Sequence, residues 1–222
     1  MASNCYYIGA DTTMWVHHHH FIKKLKNKKS PGPDGVANEL LKSAASLVRK
    51  PLAHLMNACL QNETIPSDWR NALVILIFKK GDPTDLKNYR PISLLSHMYK
   101  LFTKILTERI STAIDLAQSK DQAGFRSNRS AIDHLQALNQ LSEKSVEFQI
   151  PISLAFIDFE KAFDSVEIPA VLNALREQNI HPKYIRTLQN IYSCSTSTIR
   201  LHVEGDSFPI NRGVRQGDTI SP

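Results

Sequence analysis

The chain has 222 residues, enough for one large domain or two small ones. Its 27 Lys and Arg outnumber 21 Asp and Glu for a formal charge of +6, a balance that favours polyanionic partners. Cys5, Cys59 and Cys194 are few, odd in number and far apart, which argues against a disulfide framework or a zinc site and fits a reducing compartment.

No apolar run approaches the ~18 residues of a membrane span, and residues 1–16 lack the basic-then-apolar order of a secretory signal. The expectation is an intracellular protein, cytoplasmic or nuclear, with no membrane partner. Residues 1–22 read as a poorly defined N-terminal segment. Its run His17, His18, His19, His20 reads as a solvated tract, because four consecutive side chains seldom converge on one metal. Five lysines within residues 23–29 then precede the breaker run Ser30-Pro31-Gly32-Pro33-Asp34-Gly35. The lysines either touch nucleic-acid phosphates or form a solvated face.

Residues 36–49 and 51–62 read as two helices, with Pro51 at a first helical position. Residues 73–78 form a continuous apolar strand, and 81–88 a polar loop. Between 98 and 117 apolar residues fall at the helical period. Ser130 with Asp133 predicts a capping box that opens a helix to about residue 146. Further on, 168–179 and 182–192 read as helices split at Pro182, and 196–203 and 208–210 as strands. Helices mixed with non-alternating strands give an α+β class.

Two stretches carry chemistry. Residues 152–157 are a short apolar run with β-branched members, which predicts a strand buried on both faces and ending on Asp158. A carboxylate at a strand's C-terminal lip suits a hard cation such as Mg²⁺, although an Asp there is also a common turn or cap residue. Gly213-Val214-Arg215-Gln216-Gly217-Asp218 predicts a loop whose backbone can approach a ligand closely, or else a surface turn. Arg215 offers a charged fork for phosphate there, and Gln216 offers both donor and acceptor. Lys79 and Arg90 flank the polar loop, so a hairpin would bring both charges over one phosphate group; a solvated Lys79 is the plain alternative.

Residues 156–166 (FIDFEKAFDSV) resemble motif A, and 213–222 (GVRQGDTISP) motif B, of the reverse transcriptases of non-LTR, LINE-like retrotransposons. Residues 27–41 and 73–95 resemble the finger motifs of that family. Gln122-Ala123-Gly124-Phe125-Arg126 resembles the block before motif A. The wording is closest to the RTE-like branch.

The resemblance implies the fingers (23–150) and a partial palm (151–222) of a right-hand RNA-directed DNA polymerase. It implies an RNA template, a DNA primer and deoxynucleoside triphosphates as partners, and two Mg²⁺ ions as cofactors, with Mn²⁺ as an alternative. Asp158 matches the metal ligand of motif A. Lys79 and Arg90 match finger residues on nucleotide phosphates, with Lys80 competing for the role of Lys79 because Phe78 stands where the family often has Pro. Phe163 matches the aromatic that packs under the incoming sugar and excludes a 2′ hydroxyl, against a plain core role. Gln216 and Gly217 match the loop that packs on the templating pair. Asp164 and Glu160 are expected to cap a turn or bridge charges.

The family also carries a motif C with two adjacent aspartates, and no Asp-Asp pair occurs in this chain. The expectation is therefore a polymerase fragment truncated before motif C and inactive alone. An upstream endonuclease and a downstream palm and thumb belong to the expected parent polyprotein. A non-catalytic, nucleic-acid-binding remnant of a retroelement is the alternative.

Overall fold

The computed structural model describes residues 18–126 and 128–221, so His17 and most of the expected N-terminal segment lie outside the described residues. Helices α1 (His18–Lys24), α2 (Asn38–Ser43) and α3 (Ala45–Asn62) lead into strands β1 (Asn71–Phe78) and β2 (Tyr89–Leu94). Helices α4 (His97–Ala117), α5 (Ala131–Phe148), α6 (Ile168–Glu177) and α7 (Pro182–Ser193) follow, then β3 (Thr196–Arg200) and β4 (Glu204–Pro209). This is the α+β content expected.

Helix α4 supplies much of the core because Leu101, Phe102, Ile105, Leu106 and Ile110 recur on one face, and all are buried. Ser96 opens it by accepting the Tyr99 N–H, one of the donors that a helix start leaves unpaired. The same core takes in Leu52, Met56 and Leu60 of α3 and Tyr184, Leu188 and Ile191 of α7. Trp69 tilts against Phe102 at 5.7 Å and meets Tyr99 edge-on at 6.4 Å. Phe21 and Ile22 are also buried, so the core reaches back into the first 22 residues.

The break expected at Pro51 falls elsewhere. Helix α3 runs straight through Pro51, and the interruption lies at Ala44, between α2 and α3. A mid-helix proline costs about 3 kcal/mol relative to Ala. Burying Leu52 and Met56 just beyond it contributes about 1.5–3 kcal/mol each. Packing therefore outweighs the local preference.

The four strands lie in the order β2-β1-β3-β4. Strand β1 pairs antiparallel with β2 and parallel with β3, and β3 pairs antiparallel with β4. Pro91 is accommodated because β2 is an edge strand. Strand β3 stops at Arg200, short of the expected 203, where the register shifts and the chain turns back into a β4 longer than expected.

Residues 151–159 correct the sequence reading most. They carry no strand pairing, and their side chains are exposed, Phe156 at 80% and Ile157 at 84%. An apolar β-branched run shows what a segment would do between two layers. Backbone N–H and C=O groups form a ladder only when a neighbouring strand answers them, and none among the described residues does. Helix α5 shares this condition. Its capping box of Ser130 and Asp133 forms as predicted, yet none of its residues is buried, and Ile132, Leu135, Leu141 and Phe148 face solvent.

Candidate functional site

The site begins with the β1–β2 hairpin. Ile77 pairs with Arg90 and Phe78 with Tyr89, and the Lys79 N–H donates to the Asn88 carbonyl at 2.9 Å. Side chains alternate faces along a strand, so Lys79 falls on the face of Ile77 and Arg90, one diagonal step from the arginine. Lys80 already lies in the turn. That turn is set by the Asp82 carboxylate, which accepts from the Thr84 N–H at 2.8 Å and its hydroxyl at 2.7 Å. Those bonds favour the charged form and hold the Asp82 carboxyl below its ordinary range.

The glycine loop docks on the outer edge of this hairpin. Ser93 donates its backbone N–H to the Gln216 carbonyl at 2.7 Å, which satisfies an edge-strand donor. Gly217 has φ +110°, and a Cβ there would sit 2.8 Å from the Ser93 carbonyl oxygen, so glycine is required for the contact. On the side-chain level, Arg90 Nε donates to Gln216 Oε1 at 3.1 Å, and Gln216 Nε2 donates to Asp164 Oδ1, also at 3.1 Å.

The other flank of the loop is tied to the segment after Asp158. Val214 donates to the Phe163 carbonyl and Gly213 to the Val166 carbonyl, both at 2.9 Å. Arg212 Nε reaches the Ser165 carbonyl at 3.0 Å. Phe163 is partly exposed and meets the Phe125 ring edge-on at 5.7 Å. Arg126 turns away, donating to the carbonyls of Ser119 at 2.8 Å and Asp115 at 2.9 Å near the end of α4.

Arg215 does not present a fork to a ligand. Its side chain is 3% exposed and its Nη2 donates to the Tyr99 hydroxyl at 2.6 Å and to Asp218 Oδ2 at 3.2 Å. Nη1 reaches the Arg70 carbonyl at 3.2 Å, and the guanidinium stacks over the Tyr99 ring at 4.9 Å. The Tyr99 hydroxyl in turn donates to Asp218 Oδ2 at 2.7 Å. Burial, with the Asp218 charge beside it, pushes the Tyr99 phenol well above its ordinary range, and Tyr192 rises for the same two reasons. Burial also lowers the Lys100 ammonium. The loop is thus anchored from beneath by a buried ion pair, while Gln216 remains at its surface. The sequence pattern assigns no role to Tyr99 or to Asp218 within the loop motif; the i, i+3 spacing of Arg215 and Asp218 is the local signal for their pairing.

Asp158 is exposed in the unpaired stretch. Among the described residues, no three His, Cys, Asp or Glu side chains gather where a metal ion could be held. A two-metal clamp needs more than one carboxylate to offset the repulsion between the ions. The described residues do not make up that set. An open groove lined by Arg176, Ile180, Ile185 and Arg186 contains none of the candidate residues.

The hairpin with its two cations, the glycine loop on its edge and the acidic-aromatic turn locked to that loop thus meet at one place. Residues 77–222 match the reverse transcriptase (RNA-dependent DNA polymerase) family, and the chain belongs to it. It is 29% identical over 208 residues to the probable RNA-directed DNA polymerase from transposon BS of Drosophila melanogaster, covering 90% of this chain and 22% of that protein. It is likewise 29% identical over 207 residues to the RNA-directed DNA polymerase from mobile element jockey of the same organism, again 90% of this chain and 22% of the relative. Against the Pol polyprotein of the type-1 retrotransposable element R2 of Popillia japonica it is 28% identical over 195 residues, 87% of this chain and 26% of the other. Two of these relatives are thus named as RNA-directed DNA polymerases of mobile elements and the third as a Pol polyprotein of a retrotransposable element. The chain spans about a fifth to a quarter of their length.

Proposed function

We propose that the chain forms the fingers (23–150) and the start of the palm (151–222) of an RNA-directed DNA polymerase of a non-LTR retroelement, of the RTE-like branch. The observation that carries this reading is the hydrogen-bonded series Arg90–Gln216–Asp164, which joins hairpin, glycine loop and the turn after Asp158 at one place. Arg90 and Lys79 would hold the phosphates of an incoming deoxynucleotide, Lys79 rather than Lys80 because it shares the face of Arg90. Phe163 would lie under the sugar, and Gln216 with Gly217 would pack against the pair formed with an RNA template. Asp158 would contribute one carboxylate toward two Mg²⁺ ions, or Mn²⁺ in their place, with the remaining ligands coming from outside the described residues. Such ions supply charge stabilisation for phosphoryl transfer. The same proposal places the protein inside the cell, in cytoplasm or nucleus, as part of a polyprotein with an endonuclease before it and the rest of palm and thumb after it.

Primer extension on an RNA template tests this. The chain alone should add no nucleotides. The chain continued through a palm hairpin that carries an Asp-Asp pair should extend the primer, and Asp158→Asn should reduce that rate by several orders of magnitude. Extension by the chain alone, abolished by Asp158→Asn, would show that it is self-sufficient. A continued protein that binds nucleic acid in a salt-dependent way but never extends would favour the non-catalytic binding remnant.

A further inference from the structure

Gln216 sits between two groups of fixed polarity. An ionised carboxylate only accepts hydrogen bonds and a guanidinium only donates them, whereas a carboxamide does both from opposite ends. With Asp164 at 3.1 Å on one side and Arg90 Nε at 3.1 Å on the other, one amide orientation satisfies both partners. The flipped amide would set oxygen against carboxylate and N–H against N–H. Asp164 is itself held firmly. Its N–H donates to the Lys161 carbonyl at 2.9 Å, and its neighbours Phe163 and Val166 accept the loop's backbone N–H groups. A Cβ at Gly213 would sit 2.7 Å from its carbonyl oxygen, so loop and turn are in van der Waals contact.

We propose that Asp164 is a positioning residue: its carboxylate fixes the Gln216 amide so that Gln216 Oε1 engages Arg90 Nε and turns the exposed Nη edge of Arg90 toward the nucleotide phosphates. This rests on the nucleotide reading of Arg90 given above. Asp164 itself touches no substrate. It also couples the residue next to it, Phe163, to the same arginine, so sugar and phosphate recognition share one support.

Two measurements test this, one independent of activity. In the 222-residue chain, NMR exchange of the Arg90 Nε–H should be slow in the parent and faster in Asp164→Ala. In the polymerase containing this chain, Asp164→Ala should raise KM for deoxynucleotide by roughly two- to tenfold, the factor of one hydrogen bond, with kcat nearly unchanged. Gln216→Glu should raise KM further by placing two carboxylates together. Adding Asp164→Asn to it should restore most of the loss, because the new amide at 164 donates where the old carboxylate accepted. Unaltered Nε–H exchange in Asp164→Ala, or no rescue in the double variant when both singles keep their thermal midpoints, overturns the proposal. Should Arg90→Ala leave KM unchanged, the nucleotide reading falls instead, and Nε–H exchange still decides the Asp164 contact.

Discussion

Replacing Asp218 by Ala isolates the anchor under the glycine loop. The substitution leaves the Arg215 guanidinium with a side chain only 3% exposed, still facing the Tyr99 hydroxyl and ring but with no counter-charge. It also removes the acceptor of the Tyr99 O–H at 2.7 Å. Breaking a buried ion pair from one side costs about 3–5 kcal/mol, and an orphaned buried hydroxyl costs about 1–3 kcal/mol. The two losses share atoms and do not add, so about 3–5 kcal/mol is expected in total. That is a large share of the roughly 5–15 kcal/mol of a typical domain. Urea unfolding followed by tryptophan fluorescence reads it directly, since Trp69 lies 6.4 Å from the Tyr99 ring. Tyr99→Phe should cost less, about 1–3 kcal/mol, because the ion pair survives. Pairing Arg215→Met with Asp218→Leu should recover part of the stability, since the unpaired buried charge is gone while the Tyr99 hydroxyl stays without its partners. An Asp218→Ala protein within about 1 kcal/mol of the parent would refute the reasoning, because a buried unpaired guanidinium cannot be that cheap.

Gly217→Ala should destabilise by more than Gly35→Ala. Both sit at positive φ, but a Cβ at Gly217 meets the Ser93 carbonyl oxygen at 2.8 Å whereas Gly35 has open space; denaturant midpoints of the two variants check this. Stability should fall above about pH 10, where tyrosines of the unfolded chain ionise while Tyr99 and Tyr192, raised by burial, hold their protons. Tyr99→Phe should flatten that slope in unfolding curves from pH 8 to 11. In a Cys5→Ser background, thiol reagents should label Cys194 well before Cys59, which is buried and pushed up to about 11. Equal labelling rates would contradict the burial of Cys59.

The hairpin, the capping box and the helix from His97 were legible in the sequence because each is decided within a few residues of itself. Ser130 and Asp133 need only each other, and Lys79 and Arg90 need only a turn of the right length. The burial of Arg215 is not legible, for the opposite reason. A lone Arg in a glycine loop looks like a phosphate fork until Tyr99, 116 residues away in sequence, is seen beneath it. Pro51 shows a local preference overruled by the buried residues that follow it. Residues 152–157 show the reverse limit, since burial on both faces is a property of neighbours, and the pattern alone cannot supply them. Asp164 is next to Phe163 in sequence, but the partner of its carboxylate is 52 positions on.

Strand β1 meets β3 in a parallel ladder whose first residues, Asn71 and Thr196, are 125 apart in the chain. Each hairpin flanking that ladder closes over a short loop, whereas the central pairing must first draw together a far longer one. Loop-closure entropy makes such contacts late and slow. The two halves of the sheet should therefore form early as separate hairpins and join in the rate-limiting step. The glycine loop lies beyond β4 but rests on Ser93 of β2, so it can settle only after that joining. The Arg90–Gln216 bond then reports on the completed fold: its formation and the slowest folding event would appear together in a refolding experiment.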